Sequence, residues 1–224
     1  ENRMRFMTMC IEEVMKAAGN DMAVVAKMNM RDGLKRPGTT LEESMEIAKR
    51  LQQLGVHAIV LSGGLVSATP MYVMRGEMPI HTMTHYMDKA WLKYGVRACG
   101  KMMVPTVPYQ EAFFLDDALL FRKALPGMKF IYVGGLVAGD KINEVLSHGF
   151  EAVQMARSLL NEPDFVNRLK DDPHHRCGCR HSNYCIARMY SVDMACHQHL
   201  KEPLTPAILR EIERIEKEQN QNTV

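Results

Sequence analysis

The sequence predicts an α/β protein built around a parallel sheet. Short apolar runs rich in strand-forming residues occur at residues 23–30, 57–61, 129–133 and 151–155. Segments with helical spacing of apolar residues alternate with them, which is typical of parallel sheets because parallel strands need a crossover. The runs are mostly apolar throughout, as expected of strands buried on both faces. Four such units make half of an eight-unit barrel or a small open sheet, and periodicity alone does not choose between these.

The first half of the chain carries clear helix start and stop signals. A helix is predicted over residues 2–18, where apolar residues recur at helical spacing, and Gly19 ends it. After the first strand, Thr40 is predicted to begin the second helix, with Glu43 three residues later in a capping-box pattern. That helix is predicted to end at Gly55, directly before the second strand.

The second half repeats the pattern. A helix is predicted at residues 113–125, and the strand at 129–133 leads directly into Gly134-Gly135. Asp140 is predicted to cap the next short helix. A further helix, with Pro163 near its start, follows the strand at 151–155.

Residues 65–110 interrupt this alternation and are predicted to be an insertion with a helical patch near residues 83–94. Loops of this length are usually functional or disordered, and a barrel places its active-site loops after the carboxyl ends of strands. Four polar or aromatic residues of the insertion are candidates for a lid over a substrate, although exposed loop residues would look the same: Tyr72, Arg75, His81 and His85.

The chain therefore divides into residues 1–170, which hold the alternating units, and residues 171–224, a cysteine-rich segment followed by a helix. Thr205 is predicted to cap this last helix and Pro206 to lie in its first turn. Its apolar stripe consists of Ile208, Leu209, Ile212 and Ile215.

Composition excludes several classes of partner. The formal net charge of +2 gives no reason to expect nucleic acid or an anionic membrane surface. We see neither an apolar run long enough to span a bilayer nor a signal-peptide core, and we expect a cytoplasmic protein that acts on a small molecule. Six cysteines in a chain of this length are expected to be reduced thiols rather than a disulfide framework.

Several segments together resemble the Old Yellow Enzyme family of NADH:flavin oxidoreductases. They are ENRMRF at the start, IYVGGL at 131–136, EAVQMARSLLNEPDFVNRL at 151–169, and the cysteine segment RCGCRHSNYCIARMY at 176–190 with ACHQH at 195–199. The resemblance covers most of the chain apart from the insertion, and the segments occur in the family's order.

The resemblance implies a TIM (β/α)8 barrel of which this chain supplies the C-terminal half, strands 5–8, plus a helical extension. It also implies an FMN-dependent enzyme that passes hydride from NAD(P)H through the flavin to an activated alkene. The family's substrate-orienting and proton-donating residues belong to strands that precede this sequence, so no catalytic residue is assigned. Pairing with a missing N-terminal half, or homo-oligomerisation, is expected.

A phosphate-binding site is predicted after the third and fourth strands. Gly134 and Gly135 let the backbone approach a ligand closely, and Arg157 offers a bidentate guanidinium. The alternative is a common glycine turn beside a surface arginine. The resemblance favours the flavin phosphate, although Ala156 stands where the family has glycine; its methyl group is tolerable if its φ is negative.

Lys27 lies in the middle of an apolar strand, an unusual place for a charge. The resemblance implies a position beside the pyrimidine edge of the flavin, where an ammonium compensates the negative charge of the reduced ring. The alternatives are a lysine at a solvated rim or one paired with Asp32.

The cysteines Cys177, Cys179, Cys185 and Cys196 form the pattern C-x-C-x5-C-x10-C. Related family members bind a [4Fe–4S] cluster through a similar segment, but Ser182 breaks that register here. His181, His197 and His199 provide nitrogen ligands that would complete a zinc site. A metal-free structural segment is the favoured interpretation, with the cluster and zinc as alternatives.

Two other functions are compatible with the same residues. The chain could belong to another phosphate-binding barrel, such as an aldolase or decarboxylase with Lys27 as its reactive lysine. It could also be an inactive half-barrel or a subunit that pairs with another half.

Overall fold

The computed structural model describes residues 2–33 and 38–221. Within these ranges the elements follow in this order: α1 Asn2–Ala18, β1 Val25–Asn29, α2 Leu41–Gln53, β2 Ala58–Ser62, α3 Pro70–Met74, α4 Ile80–His85, α5 Ala90–Met103, α6 Leu115–Ala124, β3 Phe130–Val133, α7 Gly139–Ser147, β4 Ala152–Gln154, α8 Arg157–Asn161, α9 Phe165–Asp171, α10 Tyr184–Met189, a 3₁₀ turn His197–His199, and α11 Pro206–Gln221.

The four strands form one parallel sheet, so the predicted α/β class with a parallel sheet is confirmed. Their spatial order, β1-β2-β3-β4, is also their order along the chain. β2 is buried along its whole length, whereas the outer strands β1 and β4 are largely exposed and pair with no further strand among the described residues. An open doubly wound sheet reverses its strand order, and this sheet does not.

Helices pack against the convex side and build the main core. Leu51 of α2 and Phe121 of α6 meet the inward side chains of the central strands, including Ile59 and Phe130, each at most 2% exposed. A second apolar cluster joins α3 and α4 to α10 around Met71. The insertion is therefore anchored to the C-terminal segment.

The caps predicted at Thr40 and Thr205 are both formed. The Thr40 hydroxyl accepts from the Glu43 backbone, and the Glu43 carboxylate accepts from the Thr40 backbone, which completes the capping box. Thr205 accepts from the Ile208 backbone N–H at the start of α11.

Two helix predictions were wrong. Asp140 does not cap α7, which begins at Gly139; its carboxylate contacts the His174 ring instead. The helical patch predicted at 83–94 is interrupted, because α4 ends at His85 and α5 begins at Ala90.

Among the described residues, no helix combines the length and apolarity needed to cross a bilayer.

Candidate cofactor site

All five residues predicted to bind the flavin line one cavity of about 200 Å³. Lys27 enters it from β1, the Gly134-Gly135 pair from the end of β3, and Ala156 and Arg157 from the end of β4. The cavity therefore lies on the concave side near the carboxyl ends of the parallel strands, where α/β proteins bind their ligands.

The turn after β3 requires glycine at both positions. Gly135 has φ +69°, and Gly134 has φ +153°. A Cβ on Gly134 would lie 2.6 Å from the Tyr132 hydroxyl oxygen, and one on Gly135 would lie 2.7 Å from the Phe113 ring. Within residues 2–33 and 38–221, neither glycine N–H donates to a protein acceptor. The turn thus keeps two backbone donors available for a ligand.

Two backbone donors beyond Leu136 are already occupied. The N–H groups of Val137 and Ala138 both donate to one carboxylate oxygen of Glu111, each at 2.9 Å. The other oxygen accepts from Arg176 at 3.0 Å. Glu111 therefore occupies the two amides that precede α7, and the first amide of the helix, that of Gly139, donates to the His175 carbonyl at 2.9 Å. No sequence signal close to α7 marks Glu111, which precedes it by almost thirty residues.

Arg157 is half-buried and held by a neighbour that the sequence did not reveal. Its Nη1 donates to Oδ1 of Asn183 at 2.7 Å. The Asn183 amide nitrogen in turn donates to the carbonyls of Arg75 and Glu77, at 2.7 and 3.0 Å. Asn183 is buried and has φ +56°, a conformation that asparagine tolerates better than most residues. The one available signal was an asparagine inside the cysteine segment.

Ala156 is compatible with the site in spite of its methyl group. Its φ is −127°, in the range open to all L-residues, so the departure from the family's glycine strains nothing.

Lys27 reaches across the concave face of the sheet. Its Nζ lies 3.2 Å from Oε1 of Gln154 on β4, and it does not pair with Asp32. The Asp32 carboxylate contacts the Asn29 side chain and the Thr39 backbone instead. Among the described residues neither Lys27 nor Arg157 has a carboxylate partner. The cavity therefore carries two uncompensated positive charges.

The four lid candidates separate into two groups. Tyr72 packs on Phe114, and the Arg75 guanidinium lies 4.5 Å from the centre of the Phe113 ring. Both phenylalanines line the cavity, so Tyr72 and Arg75 support its wall. His81 and His85 lie elsewhere, lining separate surface cavities.

His181 also lines the cavity and is held neutral. Its ring stacks on Tyr109 with 3.7 Å between centroids. Burial, followed by the charges of Arg157 and Arg176, lowers the pKa of His181 to about 2. A neutral imidazole leaves the positive charge at this site to Arg157 and Lys27.

The four cysteines do not converge on one centre. No group of three or more histidine, cysteine or acidic side chains within the described ranges is arranged to hold a metal ion. Cys179, Cys185 and Cys196 line a cavity of about 20 Å³, room for about one water and far too little for a four-iron cluster. Cys177 is instead buried in the main core. The geometry therefore does not support a metal site in this segment, either as an iron–sulfur cluster or as a zinc site that includes His181.

Burial favours the protonated form of two thiols of the segment, those of Cys177 and Cys185. Burial raises the pKa of Cys177 to about 11, and burial, partly offset by Arg157, raises the pKa of Cys185 to about 11. Thiolates are the metal-binding and nucleophilic form, so these cysteines pack as small apolar side chains.

Comparison with known proteins points to redox enzymes. The chain is 39% identical over 182 residues to a 4,4'-dithiodibutanoate disulfide reductase of Rhodococcus erythropolis; the match covers 81% of this chain and 44% of the relative. It is 36% identical over 70 residues to an NADH oxidase of Thermoanaerobacter brockii, across 31% of this chain and 11% of that protein. The chain thus spans less than half the length of these relatives. No family model matches it.

Among solved structures, a 2-naphthoyl-CoA reductase bound to 2-naphthoyl-CoA superposes with a TM-score of 0.61. The superposition covers 95% of this chain and 27% of that one, at 16% identity, which shows similarity of fold alone. By name, the two sequence relatives are both redox enzymes, a disulfide reductase and an NADH oxidase.

Proposed function

We propose that this chain holds the phosphate end of FMN in an NAD(P)H-dependent oxidoreductase. In the complete enzyme, hydride would pass from NAD(P)H through the flavin to an activated alkene. The observation that carries the proposal is the convergence of Lys27, the Gly134-Gly135 turn, Ala156 and Arg157 on one cavity. Sequence relatives that are a disulfide reductase and an NADH oxidase support the redox part of it.

The donors at the cavity fit a phosphate group. Two glycine N–H groups without protein acceptors form a backbone concavity of the kind that binds anions. Arg157 uses Nη1 for Asn183, and its remaining guanidinium donors can face a phosphate oxygen. Asn183 fixes the orientation of that guanidinium, because it is itself anchored by two backbone carbonyls.

Lys27 fits a different part of the same cofactor. FMN, when bound, supplies the hydride acceptance and donation that the chain's own side chains lack. The Lys27 ammonium, without a carboxylate partner among the described residues, stabilises negative charge on a reduced ring system. Gln154 positions this ammonium from the opposite edge of the sheet.

The size of the cavity indicates that it is part of a larger site. Its volume of about 200 Å³ is below the roughly 300 Å³ at which pockets for whole small molecules begin. The sequential strand order and the exposed outer strands suit one half of a (β/α)8 barrel. We infer that an N-terminal half, supplied by upstream sequence or by another chain, completes the barrel and the site.

Titration of flavin-free protein with FMN tests the proposal. We expect saturable binding that Arg157→Ala weakens about ten- to a hundred-fold, since a hydrogen bond to a charged group contributes roughly 1.5–3 kcal/mol. Arg5→Ala is the matched control, because this exposed arginine of α1 does not line the cavity.

Other outcomes identify the alternatives. Protein that binds inorganic phosphate but no flavin would favour a phosphate-binding barrel of the aldolase or decarboxylase type. If FMN is bound equally tightly by the parent and by Arg157→Ala, the cofactor has been assigned to the wrong place. Binding of neither ligand, before and after addition of an N-terminal half, would leave an inactive half-barrel.

A further inference from the structure

A second and larger cavity, of about 410 Å³, lies between the insertion and the C-terminal helix. Its volume is within the 300–1,000 Å³ range of small-molecule sites. Arg97 and Lys101 line it from α5, and Arg210 and Arg214 line it from α11. No residue lines both this cavity and the flavin cavity, so the two are separate.

The one carboxylate in the lining, that of Glu211, forms no ion pair with these cations among the described residues. Glu211 is only 7% exposed, and its two oxygens accept from the backbone N–H groups of His81 and Thr82 and from the Thr82 hydroxyl, at 2.8–3.0 Å. The carboxylate is thus hydrogen bonded to the first turn of α4. The carboxylate therefore fastens the insertion to α11 and leaves the cations to the ligand.

The cations differ in how far they are paired. Arg214 makes two hydrogen bonds to Glu77, at 2.7 and 2.9 Å, and Lys101 shares the same carboxylate at 3.4 Å. Arg97 donates from Nε to the Thr84 hydroxyl and has no carboxylate partner among residues 2–33 and 38–221. Arg210 forms no ion pair or side-chain hydrogen bond within the same part of the chain. Two guanidinium groups thus face the cavity with donors to spare.

The basic character continues along α5. Lys89, Lys93, Arg97 and Lys101 recur every four residues, a spacing that places them along one side of the helix. The cavity lies at the carboxyl end of this stripe. A concave site at the end of such a stripe concentrates positive potential and attracts anions.

We propose that this cavity binds the phosphate groups of a nucleotide carrying at least two phosphates. Cations from two helices can contact separate phosphates, and guanidinium groups suit phosphate because they offer paired donors. The Ile80 side chain and the His81 ring, which also line the cavity, provide an apolar and an aromatic surface for a base. The adenosine end of a nicotinamide dinucleotide phosphate and that of a coenzyme A thioester share this chemistry.

Isothermal titration of the purified protein with adenosine 2′,5′-bisphosphate and adenosine 3′,5′-bisphosphate, at low ionic strength, tests the site. We expect at least one to bind, and Arg97→Gln with Arg210→Gln to weaken it by about tenfold or more per arginine. Lys217→Gln is the matched control, an exposed cation of the same helix that does not line the cavity. Added salt should weaken binding to the parent protein.

Tighter binding of the 2′,5′ compound would identify the nicotinamide cofactor as the source, and tighter binding of the 3′,5′ compound the thioester. Arg157→Ala should leave either affinity unchanged, which separates this site from the flavin phosphate site. The proposal is overturned if neither nucleotide binds. It is equally overturned if the double arginine variant, folded by circular dichroism, binds as tightly as Lys217→Gln.

Discussion

The Lys27 ammonium lies 3.2 Å from the Gln154 side-chain oxygen, although these residues belong to the two outermost strands of the sheet. Strands in a flat sheet are about 4.8 Å apart, so β1 and β4 would be separated by roughly 14 Å with parallel side chains that do not meet. Gln154 is also two residues beyond the position in register with Lys27, so the contact indicates that the sheet is curved. Such curvature is what closing a barrel demands, and it brings Lys27 and Arg157 to the same cavity.

This relationship predicts that Lys27 acts on the flavin's redox state more than on its retention. In Lys27→Ala, the two-electron reduction potential of bound FMN should fall by tens of millivolts, since about 1.4 kcal/mol corresponds to roughly 30 mV. FMN affinity should stay close to that of the parent. Spectroelectrochemical titration measures the first quantity and fluorescence titration the second. A variant that loses FMN while the potential of the remaining flavin is unchanged would contradict the assignment.

Alanine substitutions at Gly135 in the turn and at Gly95 in α5 should have opposite effects on the free energy of unfolding. Gly135→Ala should lower the free energy of unfolding by about 1–2 kcal/mol or more, because φ is +69° and the new methyl group meets the Phe113 ring. Gly95→Ala is the control: this helical glycine of α5 has open space around its Cβ position, and alanine there should stabilise by up to about 1 kcal/mol. Urea unfolding measures both. Equal effects at the two positions would show that the turn is not under this constraint.

Local patterns were sufficient to predict the sheet. The apolar runs located all four strands to within two residues at each end, because β2 and β3 are buried by neighbours on both sides. The capping box at Thr40 was also found, since both partners lie within one helical turn. Signals of this kind depend only on residues close together in the chain.

Contacts between distant residues could not be predicted in this way. Asp140 was expected to cap α7, but the first amide of the helix donates to the distant His175 carbonyl, and Glu111 accepts from the two amides that precede it. The helix predicted at 83–94 is interrupted near Tyr86, whose hydroxyl lies 2.6 Å from that of Tyr184 in α10. Within the candidate site, the glycine and arginine positions could be predicted because they directly follow the strands. Gln154, the partner of Lys27, and Asn183, the partner of Arg157, could not be predicted, because tertiary packing alone selects them.

Because burial keeps His181 neutral, the folded protein should become less stable in mild acid. Its pKa is about 2 in the folded protein and near 6.5 when unfolded, so the unfolded state binds more protons at intermediate pH. The free energy of unfolding should fall by about 1.4 kcal/mol for each pH unit below about 6.5, and should not depend on His181 above it. His181→Asn, which tolerates φ +57°, should reduce this slope.

Urea unfolding at pH 7 and pH 5.5 measures the slope in both proteins. His197, whose pKa is also lowered by burial, contributes with the same sign, so the slope should be reduced rather than abolished. An identical slope in parent and variant would show that His181 is protonated in the folded state.

Arg157 and Asn183 should be coupled in their effect on FMN affinity. Asn183 orients Arg157 through one hydrogen bond and anchors itself to the insertion through two more, so it is a positioning residue for the proposed phosphate site. Asn183→Gly keeps the positive φ but removes all three bonds, and we expect FMN affinity to fall, though less than in Arg157→Ala. In the double variant the loss should equal that of Arg157→Ala alone, because Asn183 acts only through the guanidinium. FMN titration of the four proteins completes the cycle, with circular dichroism as the check on folding. Additive losses would mean that Asn183 supports the cavity independently of Arg157, and the positioning role would then be rejected.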